Sequence, residues 1–233
     1  MSIERKNYDK YQYMIGGKKI QVYPSSDAGR PVVYLNTFAE EGDRVYDALH
    51  LLQCPDFTLV AASGLNWDHD MAPWDIPPIS EDDTPCTGGA DAYLKLLTNE
   101  IMPKAEEHIK GNIPWRGITG YSLAGLFAIY SMYKTDVFSR AASMSGSLWF
   151  PGFKEYVFSH EMQQKPEYVY FSLGDRECRT GNPFLKVVQE HTEKIEGFYK
   201  DKGIHTTFKL NAGGHYKNGA GRTAAGIAWL LKE

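Results

Sequence analysis

The chain alternates short runs of hydrophobic residues with longer amphipathic segments, and this pattern predicts its secondary structure. Two short alternating runs, YQYMI and KKIQVY, flank Gly16-Gly17, a dipeptide that tolerates the positive φ angles of a tight turn. They predict an antiparallel hairpin. The next run, PVVYLNT at residues 31–37, is continuously β-branched and aromatic, which is typical of a strand buried on both faces of a parallel sheet.

Predicted strands and helices alternate through the rest of the chain. The later strands are predicted at FTLVAA, RGITGY, RAASMS, YVYFSL and TTFKLN. The helices are predicted near residues 42–53, 91–109, 123–134, 183–202 and 221–232. This βαβ order predicts the α/β class, with a mostly parallel central sheet and helices on both faces.

One connection, from Ser63 to Gly89, has neither helical nor strand periodicity and is rich in proline and acidic residues. Connections of this length in compact domains are usually functional or mobile. No linker, internal repeat or low-complexity tract interrupts the chain, so residues 1–233 are expected to form a single domain. The helix near residues 91–109 leaves no room for a large inserted cap domain.

The composition is that of a folded, soluble protein, with 42% hydrophobic and 23% charged residues. The 25 basic and 29 acidic residues are well mixed, so no basic stripe is available to bind nucleic acid. The first residues carry charges where a signal peptide needs an apolar run, and no apolar stretch is long enough to span a membrane. A cytoplasmic protein is therefore expected, and its oligomeric state is left open.

The segment GYSLAG places Ser122 between a predicted strand and a predicted helix, with small residues on both sides. Gly120 and Ala124 stand two positions before and after the serine, and Gly125 follows. A nucleophile elbow has this composition, because small neighbours let the strand and helix approach while the serine sits on a strained turn. A serine that merely caps the helix is the alternative, and this segment alone does not separate the two.

A serine hydroxyl is a poor nucleophile until a base takes its proton, so a histidine must lie beside it. Of the seven histidines, His215 follows the last predicted strand through a flexible AGG turn, at the sheet edge where ligands bind in α/β folds. An acid that orients this histidine is expected after YVYFSL, where SLGDREC offers Asp175 and Glu177. The residues alone do not choose between these two carboxylates.

From about Pro31 onward, the chain resembles the esterase family that includes enterochelin-type siderophore esterases, esterase D and bacterial feruloyl esterases. The resemblance lies in the order and spacing of five segments, PVVYLNTFAEEG, GYSLAG, SGSLWFPGFKEY, SLGDRE and GGHYKN. It implies an α/β-hydrolase fold with a catalytic serine, a histidine and usually an acid, and with no metal or cofactor.

The resemblance also implies roles for individual positions. The family's nucleophile falls on Ser122 and its histidine on His215. Relatives with a GTxD type of turn place their acid three residues after the glycine. Counted from Gly174, that position is Glu177, which is therefore preferred to Asp175.

The oxyanion hole is less well defined by the resemblance. The family's histidine-glycine dipeptide after the first parallel strand is replaced here by Asn36-Thr37. The amide of Leu123 is expected to be one donor, and the amide of Thr37 or Phe38 to be the other, with Phe38 taken as the candidate.

The long connection is expected to overhang Ser122 and to shape the substrate pocket through Trp67, His69 and Trp74. A metal site at Asp68-His69-Asp70 is not adopted, because the mechanism needs no metal and such clusters are common in loops.

The sequence therefore predicts a serine carboxylic-ester hydrolase that acts through an acyl-enzyme on a small-molecule ester. Candidate substrates are a siderophore ester and an aromatic or acetyl ester of a polysaccharide. An acyltransferase of the same fold and a non-catalytic binding protein that keeps the hydrolase fold are the alternatives, since fold alone does not define a substrate.

Overall fold

The computed structural model describes residues 9–232, and a large central sheet runs through them. The strands are β1 (Tyr11–Ile15), β2 (Lys18–Tyr23), β3 (Val32–Asn36), β4 (Thr58–Ser63), β5 (Asp75–Ile76), β6 (Cys86–Thr87), β7 (Arg116–Tyr121), β8 (Arg140–Met144), β9 (Tyr168–Gly174) and β10 (His205–Asn211). Eight of them form the main sheet, in the order β1-β2-β4-β3-β7-β8-β9-β10. Strands β5 and β6 form a separate small ribbon.

The strand directions confirm the predicted mostly parallel sheet with an antiparallel hairpin at its start. Strand β1 pairs antiparallel with β2, and β2 pairs antiparallel with β4. All pairings from β4 through β3, β7, β8 and β9 to β10 are parallel. The carboxyl ends of these parallel strands therefore lie at one edge of the sheet, which is the edge where α/β folds bind ligands.

Helices cover both faces of the sheet, as predicted. They are α1 (Gly42–Leu51), α2 (Trp67–Asp70), α3 (Ala90–Leu96), α4 (Met102–Glu106), α5 (Leu123–Ser131), α6 (Phe153–Ser159), α7 (Val188–Asp201) and α8 (Gly219–Lys232). Residues of α1 and α8 belong to the core on one face, and residues of α3 to α7 belong to the core on the other. None of the helices within residues 9–232 is long and apolar enough to cross a membrane.

Strand β3 shows why the central strands read as continuous apolar runs. Val33 and Leu35 pack into the core beneath α1 and α8, whereas Val32 and Tyr34 pack into the opposite core. Because successive side chains of a strand point to opposite faces, a strand between two helix layers needs apolar residues at every position. Complete burial of each such side chain stabilises the fold by about 1.5–3 kcal/mol.

The structure differs from the predicted elements in three places. The connection from Ser63 to Gly89 contains α2 and the β5-β6 ribbon, which are too short to produce a periodic pattern. Helix α6, which the pattern does not predict, is short as well. The single helix expected near residues 91–109 is divided by a π-helical turn (Leu97–Ile101), which precedes Pro103, a residue without an amide hydrogen to continue the helix.

Candidate active site

Ser122 occupies the sharp turn between β7 and α5. Its backbone angles are φ 58° and ψ −125°, a combination that is strained for any residue other than glycine. The side chain makes no capping hydrogen bond to the helix that it precedes. The geometry therefore matches a nucleophile elbow and not the alternative of a helix-capping serine.

Close backbone contacts explain the small residues around Ser122. A Cβ atom added to Gly120 would lie 2.4 Å from the backbone carbon and oxygen of Ala124. One added to Gly125 would lie 2.9 Å from the Cα atom of Gly146, in the turn after β8. The strand, the helix and the neighbouring turn thus meet at distances that only glycine allows at these positions.

His215 lies in the turn between β10 and α8, and its imidazole reaches Ser122. The distance from His215 Nε2 to Ser122 Oγ is 3.1 Å, which is within hydrogen-bonding range. Tyr121, the last residue of β7, donates a hydrogen bond from its hydroxyl to the backbone oxygen of His215. The end of β7 therefore supports the serine and the histidine together.

Glu177 approaches the other nitrogen of the imidazole. Its Oε2 lies 2.8 Å from His215 Nδ1, and its Oε1 accepts hydrogen bonds from the hydroxyl of Ser145, the amide of Gly174 and Nη1 of Arg222. Burial raises the pKa of this carboxyl. Its hydrogen bonds, chiefly that with His215, outweigh burial and hold the pKa of Glu177 below its ordinary value. A carboxylate beside Nδ1 keeps the imidazole proton there and leaves Nε2 to accept a proton from the serine.

Asp175, the second acid of the same loop, contacts backbone instead. Its Oδ1 accepts a hydrogen bond from the amide of Gly213 at 2.7 Å. The ends of β9 and β10 are close here, since a Cβ atom on Gly174 would lie 2.2 Å from the carbonyl oxygen of Gly213. The sequence offered both acids as the partner of His215. In the structure Glu177 contacts the imidazole, and Asp175 bonds to the backbone of the loop that contains His215.

Two backbone amides near Ser122 are available as oxyanion donors. Leu123 is the first residue of α5, where an amide has no acceptor within the helix. The amide of Thr37 donates to the carbonyl of Ala62 at 2.8 Å, whereas the amide of Phe38 has no acceptor within the part of the chain that is described. Of the two candidates that follow β3, only Phe38 therefore has a free N–H.

Two clefts meet at Ser122 and His215. The first, of about 330 Å³, has aromatic walls that include Phe38, Trp67 and Tyr216. The second, of about 430 Å³, is bordered by Asp68, Asp82, Asp83, Ile76 and Trp149. Among the described residues that line them, neither cleft has a lysine or an arginine. A molecule bound at Ser122 would therefore lie between an aromatic cleft, whose lining includes one acid, Glu41, and an acidic cleft with three aspartates.

The structure places only one of the three candidate substrate-binding residues beside Ser122. Trp67 borders both clefts. Trp74 instead packs against the rings of Phe150 and Tyr156, with its Nε1 donating to the carbonyl of Pro151 at 3.0 Å. His69 lies against Gly89, and its Nδ1 is 2.9 Å from the hydroxyl of Thr87. Neither is among the described residues that line the clefts.

The Asp68-His69-Asp70 segment does not converge on one point. The carboxylate of Asp68 accepts a hydrogen bond from Thr84, and that of Asp70 pairs with Lys18. Within residues 9–232, no group of three His, Cys, Asp or Glu side chains is arranged to hold a metal ion.

Sequence reasoning missed several groups that contact the site. Arg222, on α8, donates to Glu177, and Ser145 donates to the same carboxylate oxygen. The hydroxyl of Ser147 lies 3.5 Å from that of Ser122. The one signal in the sequence was a lone arginine within the small and apolar residues of GAGRTAAGIAWLL.

Comparison with known proteins agrees with this fold. A sequence model of the family described as Putative esterase matches residues 18–217. No curated protein matches the chain by sequence.

Solved structures give a fold likeness at low identity. An IroE-like serine hydrolase from Shewanella oneidensis has a TM-score of 0.77 at 18% identity, over 97% of this chain and 80% of that one. The siderophore hydrolase EstA from Aspergillus nidulans has a TM-score of 0.73 at 17% identity, over 100% and 97%. The enterobactin hydrolase IroE in complex with DFP has a TM-score of 0.66 at 20% identity, over 99% and 95%.

Proposed function

Since the chain belongs to the family described as Putative esterase, we propose that it is a serine carboxylic-ester hydrolase that works through an acyl-enzyme on Ser122. The observation that carries this proposal is the continuous contact from Ser122 through His215 to Glu177, with distances of 3.1 and 2.8 Å. A buried carboxylate, an imidazole and a serine on a strained turn are the groups that acyl transfer requires.

In the first half of the reaction, Ser122 Oγ attacks the ester carbonyl carbon while its proton passes to His215 Nε2. The carbonyl oxygen becomes an oxyanion, which the amides of Leu123 and Phe38 stabilise by hydrogen bonds. When the tetrahedral intermediate collapses, the bond to the alcohol breaks, and His215 gives its proton to the departing oxygen. The acyl group remains on Ser122 as an ester.

In the second half, water takes the place of the alcohol. It attacks the acyl carbon as His215 accepts one of its protons. When the second intermediate collapses, the bond to Ser122 Oγ breaks, His215 gives that proton to Oγ, and the carboxylic acid is released. The imidazole is positively charged in both intermediates, and the carboxylate of Glu177 at Nδ1 stabilises that charge.

The cleft walls disfavour an anionic substrate. Phe38 and Tyr216, which border the first cleft, are 66% and 96% exposed, so they offer aromatic surface to a planar or apolar group. Asp68, Asp82 and Asp83 border the second cleft without a basic counterpart among its described lining residues, and they would repel an anionic substrate. We therefore favour an aromatic or acetyl ester of a polyol or polysaccharide over a polyanionic siderophore ester.

As the sequence also suggested, we propose a cytoplasmic enzyme of one domain without a cap.

The proposal is tested by labelling and turnover. A fluorophosphonate probe should label Ser122 in the native protein, and mass spectrometry of the digested protein should find the adduct on that peptide. Ser122→Ala and His215→Ala should each lower hydrolysis of p-nitrophenyl butyrate by several orders of magnitude, because the two groups act as a unit. Turnover of folded Ser122→Ala at a rate near that of the wild type would refute the proposal.

The substrate class is tested with p-nitrophenyl esters whose acyl chains match in length but end in a methyl, a carboxylate or a trimethylammonium group. The carboxylate ester should have a kcat/KM at least about tenfold below the methyl ester, equivalent to about 1.4 kcal/mol. Asp82→Asn with Asp83→Asn should reduce this difference, whereas Asp136→Asn, an exposed acid outside the clefts, should not. Equal or faster turnover of the carboxylate ester would refute the expected discrimination against anionic substrates.

A further inference from the structure

Arg222 contacts one proposed catalytic residue, Glu177, and the loop that precedes another, His215. It stands in the first turn of α8, where it is 4% exposed. Its Nη1 lies 3.1 Å from Glu177 Oε1 and 3.1 Å from the hydroxyl of Ser145, and 3.2 Å from the hydroxyl of Tyr121. One buried guanidinium thus touches residues at or just beyond the carboxyl ends of β7, β8 and β9.

The second terminal nitrogen of Arg222 holds the histidine loop. Its Nη2 donates to the carbonyl of Ala212 at 3.3 Å and to the carbonyl of Gly214 at 3.2 Å, on either side of Gly213. Gly214 immediately precedes His215. The planar fork of an arginine can bond a carboxylate and two carbonyls at once, whereas a lysine would present a single charged point.

The pairing with Glu177 has an electrostatic consequence. The side chains of Arg222 and Glu177 are 3% and 5% exposed, so water screens their attraction weakly. Arg222 occupies Oε1 of the carboxylate, together with Ser145 and Gly174, and this leaves Oε2 as the oxygen that faces His215. A positive charge beside one carboxylate oxygen also favours the ionised form of Glu177.

We propose that Arg222 is a positioning residue for the proposed hydrolase, which joins Glu177 and the His215 loop into one buried unit and keeps the acid ionised. This inference rests on the proposed function. Arg222 is not a member of the proposed triad. The inference therefore gives α8 a part in the reaction, although in the described hydrogen bonds no side chain of that helix contacts Ser122.

Other charged and titratable groups surround the pair and must be considered in a pH experiment. They are Tyr121 on β7, Asp175 and Tyr216 beside the two loops, Lys217 against Gly213, and the cleft acids Asp68, Asp82 and Asp83. All of them are unchanged when Arg222 is replaced, so a difference between variants reports the loss of the guanidinium.

The test measures kcat/KM for p-nitrophenyl butyrate against pH. In Arg222→Met, kcat/KM should fall by about 10²-fold or more, and the acid limb of the profile should move upward by at least about one pH unit, because an opposite charge has been removed from Glu177. Arg222→Lys should keep the limb near its wild-type position, since the charge remains, but should have a lower kcat with little change in KM, since the fork is lost.

The matched control is Arg140→Met. Arg140 is also a buried arginine, and it donates to the carbonyl of Leu230 near the other end of α8, away from Ser122. Its loss should lower the melting temperature and leave the acid limb in place. If Arg222→Met does not fold, Arg222→Gln replaces it, because glutamine keeps two N–H donors and removes the charge.

Two results would overturn the inference while leaving the proposed function intact. One is an acid limb that does not move in the uncharged variant that folds, and the other is full kcat in Arg222→Lys. A wild-type protein that neither hydrolyses esters nor is labelled at Ser122 would instead refute the proposed function itself.

Discussion

Replacement of Glu177 by glutamine is the sharpest test of how the proposed triad is oriented, because the structure predicts which way the new amide will turn. Glu177 Oε1 accepts from three donors, on Ser145, Gly174 and Arg222. An amide nitrogen cannot accept hydrogen bonds at that position, so in Glu177→Gln the side-chain oxygen should remain there and the NH₂ group should face His215 Nδ1.

This orientation reverses the imidazole tautomer. With an N–H donor opposite Nδ1, the neutral imidazole must accept at Nδ1 and carry its proton on Nε2, which then cannot take the proton of Ser122. A tautomer error of this kind lowers turnover by about 10⁴-fold in serine proteases. The corresponding loss of transition-state stabilisation is about 5 kcal/mol.

Glutamine is preferable to alanine for this test. Both variants remove the carboxylate from the buried guanidinium of Arg222, but glutamine keeps an oxygen that accepts from Arg222, Ser145 and Gly174, whereas Glu177→Ala leaves these donors without an acceptor. Loss of one partner of a buried ion pair with no replacement destabilises a protein by about 3–5 kcal/mol. A fall in activity would then report unfolding as well as catalysis.

The control is Asp175→Asn. The amide oxygen of asparagine can still accept a hydrogen bond from the amide of Gly213, so the loop that contains His215 should keep its position. We expect kcat/KM to fall by less than about tenfold, or about 1.4 kcal/mol. Both variants should be assayed with an activated p-nitrophenyl ester and with an alkyl ester, because protonation of a poor leaving group depends more strongly on His215. Activity of Glu177→Gln within about tenfold of the wild type on both esters would show that Glu177 does not control the tautomer of His215.

Further predictions concern the supports of the site. Gly120→Ala should lower the melting temperature and slow fluorophosphonate labelling of Ser122, because the added methyl meets backbone at 2.4 Å; labelling at the wild-type rate would contradict this. Tyr121→Phe should lower kcat by about tenfold with KM unchanged, through loss of its bond to the His215 backbone. Trp74→Ala should reduce the free energy of unfolding by about 3–5 kcal/mol without changing KM, as measured by urea denaturation and kinetics. The lowered pKa of Glu177 means that its ionisation stabilises the fold above about pH 4.3, and that this contribution is lost as the pH falls through the native pKa. The melting temperature of Glu177→Gln should therefore depend less on pH between about 5 and 2.

The central strands could be predicted from the sequence because their burial leaves a local pattern. The run RGITGY predicts a strand, and the structure has one at Arg116–Tyr121, most of which is buried between the two helix layers. The β5-β6 ribbon and α6 leave no such pattern. The paired strands of the ribbon have two residues each and α6 has seven, and hydrophobic periodicity needs longer windows to be detected.

The site residues likewise include some that leave a local sequence pattern and some that do not. Ser122 and His215 carry local signals, because an elbow requires small neighbours and the histidine loop requires glycine. Glu177 and Asp175 share one loop, and only the turn of the chain after Gly174 decides which carboxylate faces the imidazole. That turn depends on the contact between Gly174 and Gly213, which lie at the ends of paired strands far apart in the chain, so it cannot be read from either segment alone.

Exposed and buried residues of the site are expected to have different roles. The groups that face solvent, such as Phe38 and Tyr216, border the aromatic cleft and can change without disturbing the buried network, so their substitution should alter KM. The buried pair of Arg222 and Glu177 instead contacts His215 and its loop, so on the proposal above its substitution should alter kcat. Substrate recognition would then depend on the exposed residues of the cleft, and catalysis on the buried residues below them. Substitutions in the cleft could change the substrate preference while the buried residues keep the same acyl-transfer chemistry.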